Sequence, residues 1–287
     1  MKIRNSVITA ILAVILICST TVSFAYNSDS VLKKNNTTSG LTSDKSEKES
    51  IKKYGYYKGK NATKIPVITY HSVVSNKDKK KKKYRRSSLV ISQGTFNKQM
   101  KWLKSKGYRS INCEEFYLWY KGKIKLPPKS VLITFDDGHY GVVKYALPVL
   151  RKYNMKGTSF VIGGSSKNNK KGHITYSQIK RLQRKKSRLE FQSHTYNLHR
   201  RFSSKGDYGV VKKDAIKQKD TYGFDYIAYP YGRNTPGMIK AYKDTGIKLA
   251  FTYGNNGYAT RKQNVYQIRR IKISGTQSFA KFKSWFK

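Results

Sequence analysis

Three short segments of this 287-residue chain carry residue types that can do chemistry. The first is Thr134-Phe135-Asp136-Asp137-Gly138, which ends the apolar run that begins at Ser130. Two adjacent carboxylates at the end of a buried strand are costly unless each meets a cation or hydrogen-bond donors. A metal would bind one and leave the other as a base, and capping of the next helical turn is the alternative. The second is Ser193-His194-Thr195-Tyr196-Asn197-Leu198-His199, which holds two of the five histidines. At that spacing they would point about 140° apart on an α-helix, so they converge only from a loop or an irregular turn. Two imidazoles and one carboxylate form an open zinc set that leaves a position for water. The alternative is two surface histidines with no shared role. The third is Ala228-Tyr229-Pro230-Tyr231-Gly232. Pro and Gly fix a tight turn, and its tyrosines, with Tyr196, are candidates to line a sugar site. An ordinary turn would use the same residues.

The elements that must position these segments alternate in type. Pro66 to Tyr70 reads as a buried strand with His71 at its end. Ser92 caps a helix with Phe96, Met100 and Leu103 on one face, and Gly107 stops it. A strand over Tyr108–Ile111 and a helix over Glu114–Tyr120 follow. Ser130–Phe135 is a strand buried on both faces. Val142–Tyr153 reads as a helix, kinked by Pro148. Strands are then expected over Thr158–Ile162, Leu189–Gln192, Ile227–Tyr229, Leu249–Thr252 and Tyr266–Ile273. Helices are expected over Ser177–Lys186, Pro236–Lys243 and Ser278–Phe286. This alternation implies a parallel sheet or a (β/α) barrel. In either, chemistry belongs at the C-terminal ends of strands, and all three segments follow strands.

Composition bounds the function classes. Hydrophobic content of 38% and aromatic content of 13% suit a folded domain, and 23 tyrosines suit packed strands and sugar-stacking surfaces. With two cysteines, a disulfide scaffold is excluded. The 60 Lys and Arg against 15 Asp and Glu give a formal net charge of +45, which suits nucleic acid, an anionic cell envelope or a lysine-rich proteome. The N-terminus decides among these. Lys2 and Arg4 precede an apolar run from Val7 to Cys18, and Ser23-Phe24-Ala25 offers a cleavage site. Residues 1–25 therefore read as a secretory signal peptide, with a run short for a spanning helix. Nucleic acid is not expected as a partner of an exported protein. Residues 26–62, rich in Ser, Thr, Asn, Lys and Glu, read as a flexible polar linker, and 63–287 as the folded domain. The run Lys79 to Lys83 reads as a solvated loop. The mature chain is expected outside the cell or on its envelope, as a monomer with no membrane span, drawn to anionic envelope polymers by its charge.

Together the three segments resemble the motifs of the polysaccharide deacetylases, carbohydrate esterase family four, whose domain is also called the NodB homology domain. The resemblance covers roughly Ile65 to Ile273. The first motif matches at Thr134-Phe135-Asp136-Asp137-Gly138 and the third at Tyr229-Pro230-Tyr231-Gly232. The second motif usually separates its histidines by three residues, whereas four lie between His194 and His199. That spacing, with Ile68-Thr69-Tyr70-His71, resembles the branch acting on poly-β-1,6-N-acetylglucosamine. The resemblance implies an irregular (β/α) barrel of about seven parallel strands and a hydrolase of N-acetyl groups on an N-acetylglucosamine polymer. It implies that Asp137, His194 and His199 hold a divalent metal, zinc by preference. Asp136 would be the base that activates water, and the backbone N–H of Tyr231 would stabilise the oxyanion. Tyr229, Tyr231 and Tyr196 are the substrate-contacting candidates.

Two departures from the family pattern stand out. No His follows His199, where many members place a catalytic one, and His71 is the candidate replacement as general acid. Gly223 to Ala228 also contains no Arg to orient the base, which leaves Arg269 or Arg270 for that role. His139 either lines the cleft or is exposed, and His173 reads as a surface residue. Two readings of other kinds compete: a peptidoglycan deacetylase, and a non-catalytic envelope-binding protein on the same fold. A two-carboxylate glycosidase is disfavoured, because adjacent residues rarely span the roughly 5 Å or more between its carboxyl groups.

Overall fold

The structure is a computed structural model that describes residues 45–199 and 207–286. The expected signal peptide, and the expected linker up to residue 44, lie outside the described residues. The strands are β1 (Val67–Tyr70), β2 (Ser72–Val74), β3 (Val90–Ser92), β4 (Arg109–Ile111), β5 (Ser130–Phe135), β6 (Gly157–Val161), β7 (Leu189–Ser193), β8 (Tyr226–Ala228), β9 (Leu249–Phe251) and β10 (Ile271–Lys272). Every residue of β1, β5, β6, β8 and β9 is buried, as expected of parallel strands covered on both faces.

The main sheet runs β10-β1-β5-β6-β7-β8-β9, with β4 beside β5. All of its pairings are parallel. Seven strands therefore form the path of the expected irregular (β/α) barrel. β5 changes neighbours along its length: Ser130 to Leu132 pair with β4, and Thr134 and Phe135 with β6. The strand expected over Tyr266–Ile273 is divided. Ile268 bridges to Phe251 of β9, whereas Ile271 and Lys272 pair with Ile68 and Thr69 of β1. One short segment thus spans the gap between the first and last strands of the curl, and buried Arg270 lies between its two halves.

Several helices follow the sequence reading. Ser92 accepts a hydrogen bond from the backbone N–H of Thr95 and opens the helix Gln93–Ser105, which buries Phe96, Met100 and Leu103. The kink expected at Pro148 is a change of helix type: a π-helical turn over Val142–Ala146, then an α-helix over Leu147–Lys152. Pro supplies no N–H to the preceding turn, so the ladder there is remade. The helix Tyr208–Tyr222 has no counterpart in the sequence reading. Its buried face mixes Val211, Ala215 and Tyr222 with Asp214 and Gln218, which breaks the apolar period that reveals a helix.

The linker reading needs correction at its C-terminal part. Residues 48–54 are helical, and Ile51 and Tyr54 pack against the core. Ala62 donates its N–H to Leu126 O at 2.8 Å and accepts from Trp119 Nε1 at 2.9 Å. From Lys48 onward the described residues belong to one compact unit. Two apolar residues one helical turn apart were enough to dock a stretch that composition alone marks as solvated. Among the described residues, no helix is long and apolar enough to cross a membrane. Trp119 is fully buried, in contact with Phe116 at a ring-centroid distance of 5.4 Å, and also anchors this incoming segment. Trp119→Ala is therefore expected to cost about 3–5 kcal/mol, read as a lower midpoint in urea unfolding.

Candidate active site

β5 delivers Asp136 to the C-terminal end of the sheet, where its N–H donates to Tyr70 O at 2.9 Å. The carboxylate is 2% exposed and receives both arms of Arg270, Nη1 at 2.8 Å and Nη2 at 2.7 Å. Arg270 is itself fixed by a bond from Nε to Thr252 O at 2.7 Å. Burial pushes the Asp136 carboxyl up, but Arg270, with His194 and His71, outweighs it and holds the group below its ordinary value. The chain next turns left-handed, with φ of 70° at Asp137 and 67° at Gly138. A Cβ on Gly138 would meet Val161 Cγ1 at 3.0 Å and is strained by that φ in any case. The turn separates the two carboxylates, so that Asp136 faces Arg270 and Asp137 faces the histidines.

β7 delivers His194, whose N–H donates to Val161 O at 2.9 Å. His194 Nδ1 lies 2.7 Å from Ala228 O. A carbonyl can only accept, so Nδ1 carries the proton and, in the neutral ring, Nε2 offers its lone pair. That Nε2 lies 3.3 Å from Asp137 Oδ1, and His199 Nε2 lies 3.0 Å from the same oxygen. Burial opposes ionisation of Asp137, but His139, His194 and His199 hold its carboxyl far below the ordinary carboxylate range.

The four residues between the histidines form a loop, not a helix. Thr195 is left-handed with φ 69°. Asp214 accepts from the N–H groups of Tyr196 and Asn197, both at 2.7 Å. Gly163 and Gly164 donate to Thr195 O at 3.0 Å and Tyr196 O at 2.8 Å. A Cβ on Gly164 would fall 1.9 Å from Asn197 Oδ1 and 3.1 Å from Tyr196 O, so a larger residue there would displace the Asn197 side chain. Asp214 is a positioning residue that sequence reading missed, since it stands among lysines on a helix with weak periodicity.

Tyr231 closes one side of the site. Its φ is 58°, Gly232 follows at 73°, and a Cβ on Gly232 would lie 2.1 Å from Tyr253 O. The Tyr231 ring is half exposed and sits 5.1 Å from that of His199. His71 stands after β1 with its ring edge-on to Tyr253 at 5.3 Å. His71, Asp136, Asp137, His194, His199 and Tyr231 together line one cavity of about 230 Å³. Burial lowers the His71 pKa, and Asp136 and Asp137 only partly compensate.

Other expectations are corrected. Tyr229 is fully buried against Tyr242, and Tyr196 is 7% exposed, so both are core residues and neither reaches a sugar. The backbone that places Tyr231 outward turns its neighbour Tyr229 in. His173 is not a bystander on the surface: its Nδ1 lies 3.1 Å from Asp137 O, and its ring stacks on His139 at 5.6 Å. His139 reaches Asp137 Oδ2 at 3.4 Å, so it belongs to the cleft. Of the two arginines offered as the base-orienting group, it is Arg270 that binds Asp136.

Asp137, His194 and His199 each present one ligand atom, all within 4.8 Å of one another. Two imidazole lone pairs and a carboxylate oxygen aimed at one point fit a divalent metal, and the bond from His194 Nδ1 to Ala228 O fixes the ring that would ligate it.

A family model described as "Polysaccharide deacetylase" matches residues 123–250. The poly-beta-1,6-N-acetyl-D-glucosamine N-deacetylase of Staphylococcus aureus (strain N315) is 31% identical over 209 residues, which are 68% of this chain and 71% of that one. Among solved structures, a Streptococcus pyogenes deacetylase, PplD in complex with acetate, matches with a TM-score of 0.69 at 26% identity, covering 79% of this chain and 99% of that one. IcaB from Ammonifex degensii matches with a TM-score of 0.66 at 27% identity, covering 78% and 97%. The arrangement at the strand ends and these similarities agree: this chain belongs to the polysaccharide deacetylase family, hydrolases of the N-acetyl amide bonds of polysaccharides.

Proposed function

We propose that the chain is an exported, metal-dependent N-deacetylase of poly-β-1,6-N-acetylglucosamine. The observation that carries this reading is the convergence of His194 Nε2 and His199 Nε2 on Asp137 Oδ1, next to a second carboxylate held apart by Arg270. The likeness to the staphylococcal enzyme supports the polymer, and the signal-like residues 1–25 support export. Asp137, His194 and His199 would hold the ion, zinc on the basis of its His₂–carboxylate preference. Such an ion lowers the pKa of water and polarises a carbonyl.

The protein's own groups do the rest. Asp136, kept ionised by Arg270, takes the proton from the attacking water. The Tyr231 N–H, presented by the left-handed turn, donates to the oxygen that becomes negative as the carbonyl carbon turns tetrahedral. The C–N bond then breaks, and the departing amine takes a proton from His71, which must first take one up because burial favours its neutral ring. The products are acetate and a glucosamine unit.

The deciding experiment compares acetate release from β-1,6 and β-1,4 N-acetylglucosamine oligomers. Faster release from the β-1,6 series is expected, and a preference for β-1,4 would overturn the polymer assignment. The His194→Ala/His199→Ala double variant is expected to lose both bound metal and activity while staying folded; full metal occupancy would remove these residues as ligands.

Asp136→Asn should retain metal and lose about 10²–10⁴-fold in rate. Arg270→Met leaves the buried Asp136 carboxyl without its partner, so burial dominates and its pKa rises. The acidic limb of the kcat/KM profile should then move to higher pH. Stability near neutral pH should fall by about 3–5 kcal/mol, and the gap to wild type should close as pH drops and the carboxyl is neutralised in both.

His71→Ala should slow the amide polymer steeply and an acetyl ester with a good leaving group much less, because such an alkoxide leaves without a proton. Equal losses on both substrates would remove His71 from the acid role.

A further inference from the structure

At the opposite end of the barrel, where the strands begin, two adjoining cavities of about 420 Å³ each share Lys156 and Arg188 as walls. Six cations surround them: Lys53, Lys104, Arg109, Lys156, Lys186 and Arg188. Arg109 and Lys156 both bind the buried Glu115, Lys156 at 2.6 Å. The other four have no carboxylate partner among the described residues. Glu190, the one carboxylate in the cavity walls, accepts from Cys113 N at 2.7 Å and from the Thr158 hydroxyl, and burial raises its pKa. The backbone fixes this floor, since Gly157 N donates to Arg188 O at 2.8 Å and Lys156 N to Ser110 Oγ at 2.6 Å.

We propose that this floor is a binding site for a linear phosphodiester polyanion of the polyol-phosphate kind, separate from the catalytic cleft. Two linked cavities ask for a ligand longer than one anion, with charges repeated along it. The Arg188 guanidinium, on the wall common to both cavities, suits phosphate oxygens. The ligand need carry no bases. Arg109 lies over the Tyr56 ring at 4.9 Å, and Lys53 and Lys156 lie over the Tyr54 ring at 4.9 and 5.4 Å. These aromatic faces meet cations and are not laid out as a stacking platform for nucleobases. A polymer held at the floor leaves the cleft at the other end open, so the enzyme can be retained on an anionic matrix while it works on a neutral glycan.

The test measures binding of the full chain to a synthetic poly(glycerol phosphate) decamer, with single-stranded DNA of equal charge as comparator. Lys104→Glu/Lys186→Glu/Arg188→Glu should weaken decamer binding about tenfold or more, given three lost ion contacts. Lys213→Glu/Lys243→Glu/Lys262→Glu, the same charge change placed elsewhere, should weaken it less than about threefold by long-range charge alone. Acetate release from a short neutral oligomer should be unchanged in both, which also reports that the fold survives. Should the floor variant misfold, the same three positions changed to Gln should still weaken binding about threefold. Equal weakening by the floor and control sets would overturn the site in favour of diffuse charge. So would unchanged binding in the Gln set, and DNA binding as tight as the decamer would overturn the ligand class. None of these outcomes bears on the deacetylase reading, which stands or falls on acetate release from the unmodified chain.

Discussion

The pair between Asp136 and Arg270 is the constraint on which the rest depends. Both groups are almost fully buried, and each would be expensive to desolvate alone. The two-point contact makes the pair tolerable only in one geometry, with the guanidinium clamped by Thr252 O and the carboxylate by the end of β5. That geometry requires the segment after β9 to cross to β1 at the level of Asp136. The closing segment therefore divides between its two neighbours, and the barrel closes where its most costly charges sit.

Around this pair, backbone strain is concentrated where it is useful. Left-handed residues stand at Asp137, Thr195 and Tyr231, one in each motif. Such conformations cost about 1–3 kcal/mol each for a side-chain-bearing residue. Each is held by a neighbour that fits only as glycine or by a buried acceptor: Gly138 against Val161, Asp214 under the histidine loop, Gly232 against Tyr253. The result is a site whose polar atoms converge from three separate strand ends with little freedom to relax away from one another.

Much of this was legible in the residues. The buried strands read correctly because parallel strands are apolar throughout, and Asp136, Asp137, His194 and His199 lie at one end of the sheet because each follows such a strand. The tyrosines show the limit of such reading. Tyr229 and Tyr231 have the same side chain, two residues apart, yet one is core and the other lines the cleft. Only the left-handed turn between strand and helix decides which is which. Asp214 was invisible because nothing in a lysine-rich helix sets it apart from its neighbour Asp220, and its role exists only through two backbone N–H groups that a sequence does not display. Arg270 was half visible: the need for a cation beside Asp136 followed from charge, but choosing between Arg269 and Arg270 required knowing which residue of the crossing from Ile268 to Ile271 faces inward.

The crossing of the last segment also bears on how the protein acquires its chemistry. Asp136 and Arg270 are 134 residues apart in sequence, and the chain between them supplies four further strands of the sheet. Contacts of such separation form late, since the loop they close must first be ordered. During synthesis the histidine loop and both carboxylates emerge well before Arg270, and the ionised Asp136 cannot be buried without cost until Arg270 docks beside it. The base is thus not held in place until the barrel is shut, so catalytic competence and completion of folding arrive in the same step.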